Sequence, residues 1–232
     1  MVTKCDSFID FAENHLKART VGAKFYFGEN PLPEVDLPDR PLRYCEAVIR
    51  TIESSGPMLL TGERISCNAG KEMLSLTDCK QCKIGECVRE LVDAGRFLNE
   101  LAVVKVMSLV PRLEKRPKAI LLSTLGQDVP DVYILFIRPE EFMKVVQSVQ
   151  RITEDELRFN LSGMTPVCGN CTVRPYVTNQ ICISFGCNDS RKYGGIEGNE
   201  LVVGIPREMA HTIMSSFLEM QKIQTSESSM KK

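Results

Sequence analysis

Sulfur is the chemistry this chain carries. Three cysteines, Cys79, Cys82 and Cys87, crowd the stretch LTDCKQCKIGEC (76–87), and a second knot, VCGNC (167–171), adds Cys168 and Cys171. A Cys-x-x-Cys turn lets two side chains point at one ion or cluster while nearby backbone N–H groups face the sulfurs. The thiolate is the ligand, and Lys80 and Lys83 favour that charged form. Gly85 permits the tight bend such a loop needs. Iron–sulfur clusters commonly take a local group of this kind plus one distant cysteine. Structural zinc uses four cysteines equally well, often as paired knuckles, here Cys79/Cys82 with Cys168/Cys171. A redox-active thiol group is the third reading of the same spacing.

Little else competes. His15 and His211 stand singly in amphipathic stretches, with no second ligand one turn away, and read as packing or surface residues. No phosphate loop of the GxxxxGK[ST] kind is present. The loop SRKYGGIEGN (190–199) offers Arg191, Lys192 and the backbone at Gly194 and Gly195 as a weak anion site, against the plainer reading of a mobile loop.

The totals bound the setting. With 43% hydrophobic and 25% charged residues, the 232-residue chain has the composition of a soluble globular protein. A net charge of −1 and a pI near 6.2 give no electrostatic case for nucleic acid or an anionic membrane as partner. No apolar run approaches the roughly 20 residues of a membrane helix. The first residues, MVTKCDSFIDFAENH, lack the apolar core of a signal peptide, so the expected compartment is the cytoplasm. Ten cysteines in a reducing compartment point to metal binding or redox work for the clustered ones. Cys5 and Cys182 read as small core hydrophobes.

The elements that must position these sulfurs follow from periodicity. Amphipathic helices are predicted over 6–19, about 43–54, about 88–110, from Pro139 onward, briefly from about 172, and from Pro206 to the end of the apolar pattern. Strands are predicted at 21–27, 58–62, 119–124, 132–137, 156–163, 181–185 and 200–205. The alternation defines an α/β fold, a mixed sheet flanked by helices, in one domain over 1–223. A Cys-rich insertion covers about 68–117, and 224–232 reads as a disordered tail.

A weak internal repeat runs through this pattern. DVYILFIRPEEFMKVVQSV and NELVVGIPREMAHTIMSSF share strand, proline, amphipathic helix. Ahead of each lies cysteine, helix, strand, cysteine: Cys45 through MLLTG to Cys67, and Cys171 through ICISF to Cys187. Two such halves could bring their cysteines to a common seam.

RYCEAVIRTIESSGPMLLTGERISCNAG (43–70), PDVYILFIRPEEFMKVVQ, TPVCGNCTVRPYVTNQICISFGCNDSR and ELVVGIPREM, in that order, resemble domain-of-unknown-function family 169, uncharacterised archaeal conserved-region proteins. The similarity spans roughly residues 20–220. It implies a positional core of four cysteines, matching Cys45, Cys67, Cys168 and Cys187, and it implies no activity. This chain departs from the family pattern after Cys67, where CNAGKEM replaces a proline and small residues.

Cys79, Cys82, Cys87 and Cys171 fall outside that core and number enough for a separate metal site. The resulting expectation is an iron–sulfur protein, a [4Fe–4S] cluster at Cys79, Cys82, Cys87 and Cys171. The Cys45, Cys67, Cys168 and Cys187 group would then form a second centre or reactive thiols. A redox, sulfur or cofactor-metabolism role in an anaerobic prokaryote follows, with a redox partner protein. A zinc-stabilised binding module and a thiol–disulfide switch are the alternatives. Whether the protein is an enzyme, and its oligomeric state, are not legible at this level.

Overall fold

The computed structural model describes residues 6–35, 37–77, 84–125, 129–161 and 163–230. Six strands form one sheet: β1 (Arg19–Tyr26), β2 (Met58–Leu60), β3 (Ala119–Ser123), β4 (Val132–Ile137), β5 (Cys182–Ser184) and β6 (Leu201–Pro206), in the order β2-β3-β1-β4-β6-β5. The expected α/β unit, a sheet flanked by helices, is what the chain forms. Every strand pairing in it is antiparallel.

That order is a palindrome of halves. In the first half the chain lays down the inner strand β1, then the edge strand β2, then β3 between them. In the second it repeats the sequence with β4, β5 and β6. The halves meet where β1 runs antiparallel to β4, with Val21 opposite Ile134. A local two-fold therefore passes between β1 and β4.

Both faces of the sheet are covered, which is why β4 reads VYILFI, an unbroken apolar run buried at every position. On one face lie α1 (Asp6–Leu16), α6 (Pro139–Thr153) and α9 (Arg207–Met230), closing over Tyr133, Leu135, Ile137, Val203 and Ile205. Pro139 opens α6 at a position whose N–H would have had no partner. Ile213 and Phe217 of α9 are buried there as the pattern predicted, and Met209 and Met220 are partly buried. His15 stacks on Phe11 at 5.3 Å and meets the edge of Phe217, a packing role. Fully burying each such side chain contributes about 1.5–3 kcal/mol.

The opposite face holds α2 (Tyr44–Ser54), α3 (Asn68–Met73), α4 (Ile84–Asp93), α5 (Glu100–Ser108), α7 (Arg174–Thr178) and α8 (Asn188–Tyr193). One helix predicted over 88–110 is in fact two. Gly95, at φ +68, ends α4, and the N–H groups of Gly95 and Arg96 return to Val92 and Leu91. Asn99 then caps α5, its Oδ1 accepting the Ala102 N–H at 2.9 Å.

Two further departures surround the second cysteine knot. PVCGNCTV forms a π-helix, Pro166–Val173, buried along its whole length, with the Asn170 N–H reaching back five residues to the Thr165 carbonyl. Residues 156–161 form no strand; Leu157 and Phe159 instead pack partly buried against the α6/α9 side. The helix α9 continues to Met230, through most of the segment expected to be a disordered tail.

Candidate functional site

Four cysteines line one cavity of about 1050 Å³: Cys45, Cys67, Cys168 and Cys187. They come from matching places in the two halves. Cys45 is the second residue of α2, and Cys168 lies in the first turn of the π-helix; each of these helices precedes an edge strand. Cys67 caps α3 and Cys187 caps α8, the helices that follow the edge strands.

Named contacts draw the four together. The segment before α2 zips to the segment before α3: Leu42 N–H donates to the Arg64 carbonyl at 2.9 Å and Ser66 N–H to the Leu42 carbonyl at 2.8 Å. That pairing sets Cys45 beside Cys67. Arg43 bonds Asp189 at 3.1 Å and lies over the Tyr193 ring, tying the start of α2 to α8. Gly194 is backed against Cys45 so closely that a methyl there would sit 2.9 Å from the Cys45 Cβ. Across the two-fold, Tyr44 and Thr172 share a hydrogen bond at 3.2 Å, joining α2 to the π-helix.

The sulfurs meet backbone donors as well. Cys187 Sγ accepts the Ser190 N–H at 3.4 Å, while Ser190 Oγ accepts the Cys187 N–H at 2.7 Å, a capping box built on a thiol. The backbone at Glu46 and Gly169 hydrogen-bonds the thiols of Cys45 and Cys168. Such N–H···S bonds favour charge on sulfur.

Burial works against that charge. It pushes the Cys45 thiol up to about 12, and the nearby charges of Cys187 and Cys67 push the same way. Cys168 is raised by burial first, then by Cys67, Cys45 and Cys187. Each thiol therefore lies within the electrostatic reach of the others, and ionising one opposes ionising the next. Among the described residues, no three His, Cys, Asp or Glu side chains stand as placed at the spacing of a single chelated ion.

The other sequence-predicted group is not assembled in the described residues. Cys5, Cys79 and Cys82, and the Cys87 side chain, lie outside them. Cys171 is fully buried and turned away from the cavity, its thiol donating to the Val202 carbonyl at 3.4 Å beside Cys182. Cys182 is a buried core thiol, as its apolar surroundings predicted. The residues of the weak anion site also make contacts within the fold. Arg191 donates to the Glu197 carbonyl, Lys192 lies over Tyr193, Gly194 sits against Cys45, and the Gly195 carbonyl accepts from Arg19.

Thr165 is a site residue the sequence did not reveal. It lines the cavity at the start of the π-helix with φ +45, a left-handed conformation that a β-branched side chain rarely adopts. Its Oγ1 is buried with no hydrogen-bond partner among the described residues. A left-handed backbone and an unpartnered hydroxyl make Thr165 a locally strained position on the cavity wall.

Fold and site together define a duplicated antiparallel α/β domain that gathers one pair of thiols from each half into a shared cavity. The chain belongs to DUF169, described as uncharacterised ArCR, whose match covers residues 12–216. It is also similar to the uncharacterised protein MJ0308 of Methanocaldococcus jannaschii, 22% identical over 210 residues, covering 88% of this chain and 89% of that one. No solved structure matches the chain.

Proposed function

We propose that Cys45, Cys67, Cys168 and Cys187 hold an iron–sulfur cluster and that the protein acts in redox or cofactor chemistry at that centre. The observation that carries this reading is the arrival of four thiols, two from each half, on the wall of one cavity. Metal charge is what such a group lacks: buried neutral thiols ionise when a cation offsets the cost of their burial and mutual repulsion.

Four cysteine thiolates suit either structural zinc or an iron–sulfur cluster. Zinc–sulfur bonds of about 2.3 Å bring four sulfurs into a tight tetrahedron. The thiols here share one cavity and lie within each other's field. The N–H···S bonds at Cys45, Cys168 and Cys187 are of the kind that tunes cluster potential. A thiol–disulfide switch is less well supported, because burial holds Cys45 and Cys168 in the unreactive protonated form. This assignment moves the centre from the Cys79, Cys82, Cys87 and Cys171 group to the quartet of the duplicated frame.

Protein purified without oxygen should be brown, with iron and sulfide by elemental analysis. Cys67→Ser or Cys187→Ser should lose both, while Cys182→Ser keeps them. A colourless preparation free of iron would refute the cluster, and tightly held zinc in its place would select the structural-zinc alternative.

A further inference from the structure

The cavity is larger than an inorganic centre requires. Its volume of about 1050 Å³ matches the upper end of pockets that enclose whole organic ligands. It also has two unlike parts. The thiols belong to the duplicated frame, whereas Leu91, Phe97, Val106 and Leu109 come from α4, α5 and the turns that follow them, beside Leu161 and Met164 ahead of the π-helix. The second half has no counterpart to these helices, since only α8 separates β5 from β6. The insertion thus breaks the local two-fold on this side and adds an apolar compartment to the thiol site.

One cation is fixed at that compartment. Arg174 lines the cavity, its Nε donating to Asn170 Oδ1 at 2.8 Å and its Nη2 to the Leu109 carbonyl at 2.6 Å. Both acceptors are neutral, and among the described residues no carboxylate lies within ion-pair distance of it. Nη1 makes neither bond. The guanidinium is held in orientation by these two hydrogen bonds, with no carboxylate paired to it among the described residues. By contrast Arg43 and Arg96, toward the thiols, share Asp189 at 3.1 and 3.7 Å. A planar fork with a free donor edge is suited to a carboxylate.

We infer that the insertion-walled end of the cavity binds a small organic carboxylate with an apolar body. Its carboxylate meets Arg174, and its chain lies along Leu91, Phe97 and Val106. The inference deepens the thiol-site reading, on which it rests for what the bound molecule lies against, but the binding itself needs no metal. The insertion accordingly reads the apolar body of the ligand, and Arg174 of the second half reads its carboxylate.

Calorimetric titration of the full chain with straight-chain carboxylates from butanoate to octanoate tests this, with the amines of the same lengths as controls. Carboxylates should bind, and amines should bind about tenfold or more weakly. Arg174→Gln should weaken carboxylate binding by a similar factor. Because Arg174 also supports Asn170 and Leu109, a second variant is needed, and Val106→Trp fills the apolar end without touching Arg174. It should abolish binding while leaving iron and sulfide content unchanged. Absence of carboxylate binding, equal binding of amines, or wild-type affinity in either variant overturns the proposal. Protein that purifies without oxygen free of iron yet still binds carboxylates would sink the cluster reading and leave this one standing; iron-loaded protein that binds none would do the reverse.

Discussion

Tyr44 Oη and Thr172 Oγ1 lie 3.2 Å apart in a hydrogen bond that crosses the local two-fold at the thiol cavity. Tyr44 immediately precedes Cys45, and Thr172 sits one π-turn beyond Cys168, with a second bond to the Val167 carbonyl at 2.7 Å. Both residues are buried, so the bond has no water to replace it. Tyr44→Phe should cost about 1 kcal/mol, read as a lowered urea midpoint at unchanged slope. An unchanged midpoint would mean that the halves are joined without it.

Acid–base behaviour follows from the raised thiols. Cys45 rises from 9.0 to about 12 on burial, so the folded chain keeps a proton that the unfolded chain releases. Stability of the metal-free protein is then full below about pH 9 and falls as the pH climbs toward 12, by about 1.4 kcal/mol per pH unit for such a thiol. Urea melts across that range should show the decline, and Cys45→Ala should make it shallower. Equal slopes in the two proteins would rule out a protonated Cys45.

Thr165 carries local strain at the cavity wall. Its left-handed backbone and orphaned hydroxyl each cost about 1–3 kcal/mol, offset in part by the greater chain freedom that glycine would lose on folding. Thr165→Gly should raise stability by about 1 kcal/mol. A destabilised variant in thermal melts would show that the strain is illusory.

Gly194 is a test of packing at the thiols. A methyl there would lie 2.6 Å from the Ser190 carbonyl and 2.9 Å from Cys45 Cβ, and neither can swing aside. Gly194→Ala should cost about 2 kcal/mol. Gly198→Ala, with nothing within 4 Å, is the matched control and should lie within about 0.5 kcal/mol of wild type. Equal melts for the two would contradict the close approach of α8 to α2.

What could be read in advance divides along physical lines. Apolar runs such as VYILFI located the strands because both faces of the sheet are covered. The same coverage hid their direction, since an unbroken apolar run is the usual mark of parallel strands. The pairing of Cys45 and Cys67 ends was visible as a cysteine–helix–strand–cysteine order. Its partner in the second half is Cys168 rather than Cys171, because a π-helix changes which residues of VCGNC face the cavity. No propensity signals that winding. The break between α4 and α5 was legible in principle, in Gly95 followed by Asn99, but a continuous apolar period masked it. Arg174 drew no notice because its role depends on the Leu109 carbonyl, 65 residues away.

The palindromic strand order implies something about ancestry. A protein of half this length, pairing with an identical copy through its inner strand, would present two sulfurs from each subunit and complete the same quartet only as a dimer. Fusing the two copies removes the concentration dependence of that assembly. It also frees one copy to acquire α4 and α5 while the other keeps the bare frame, an asymmetry that a homodimer could not evolve.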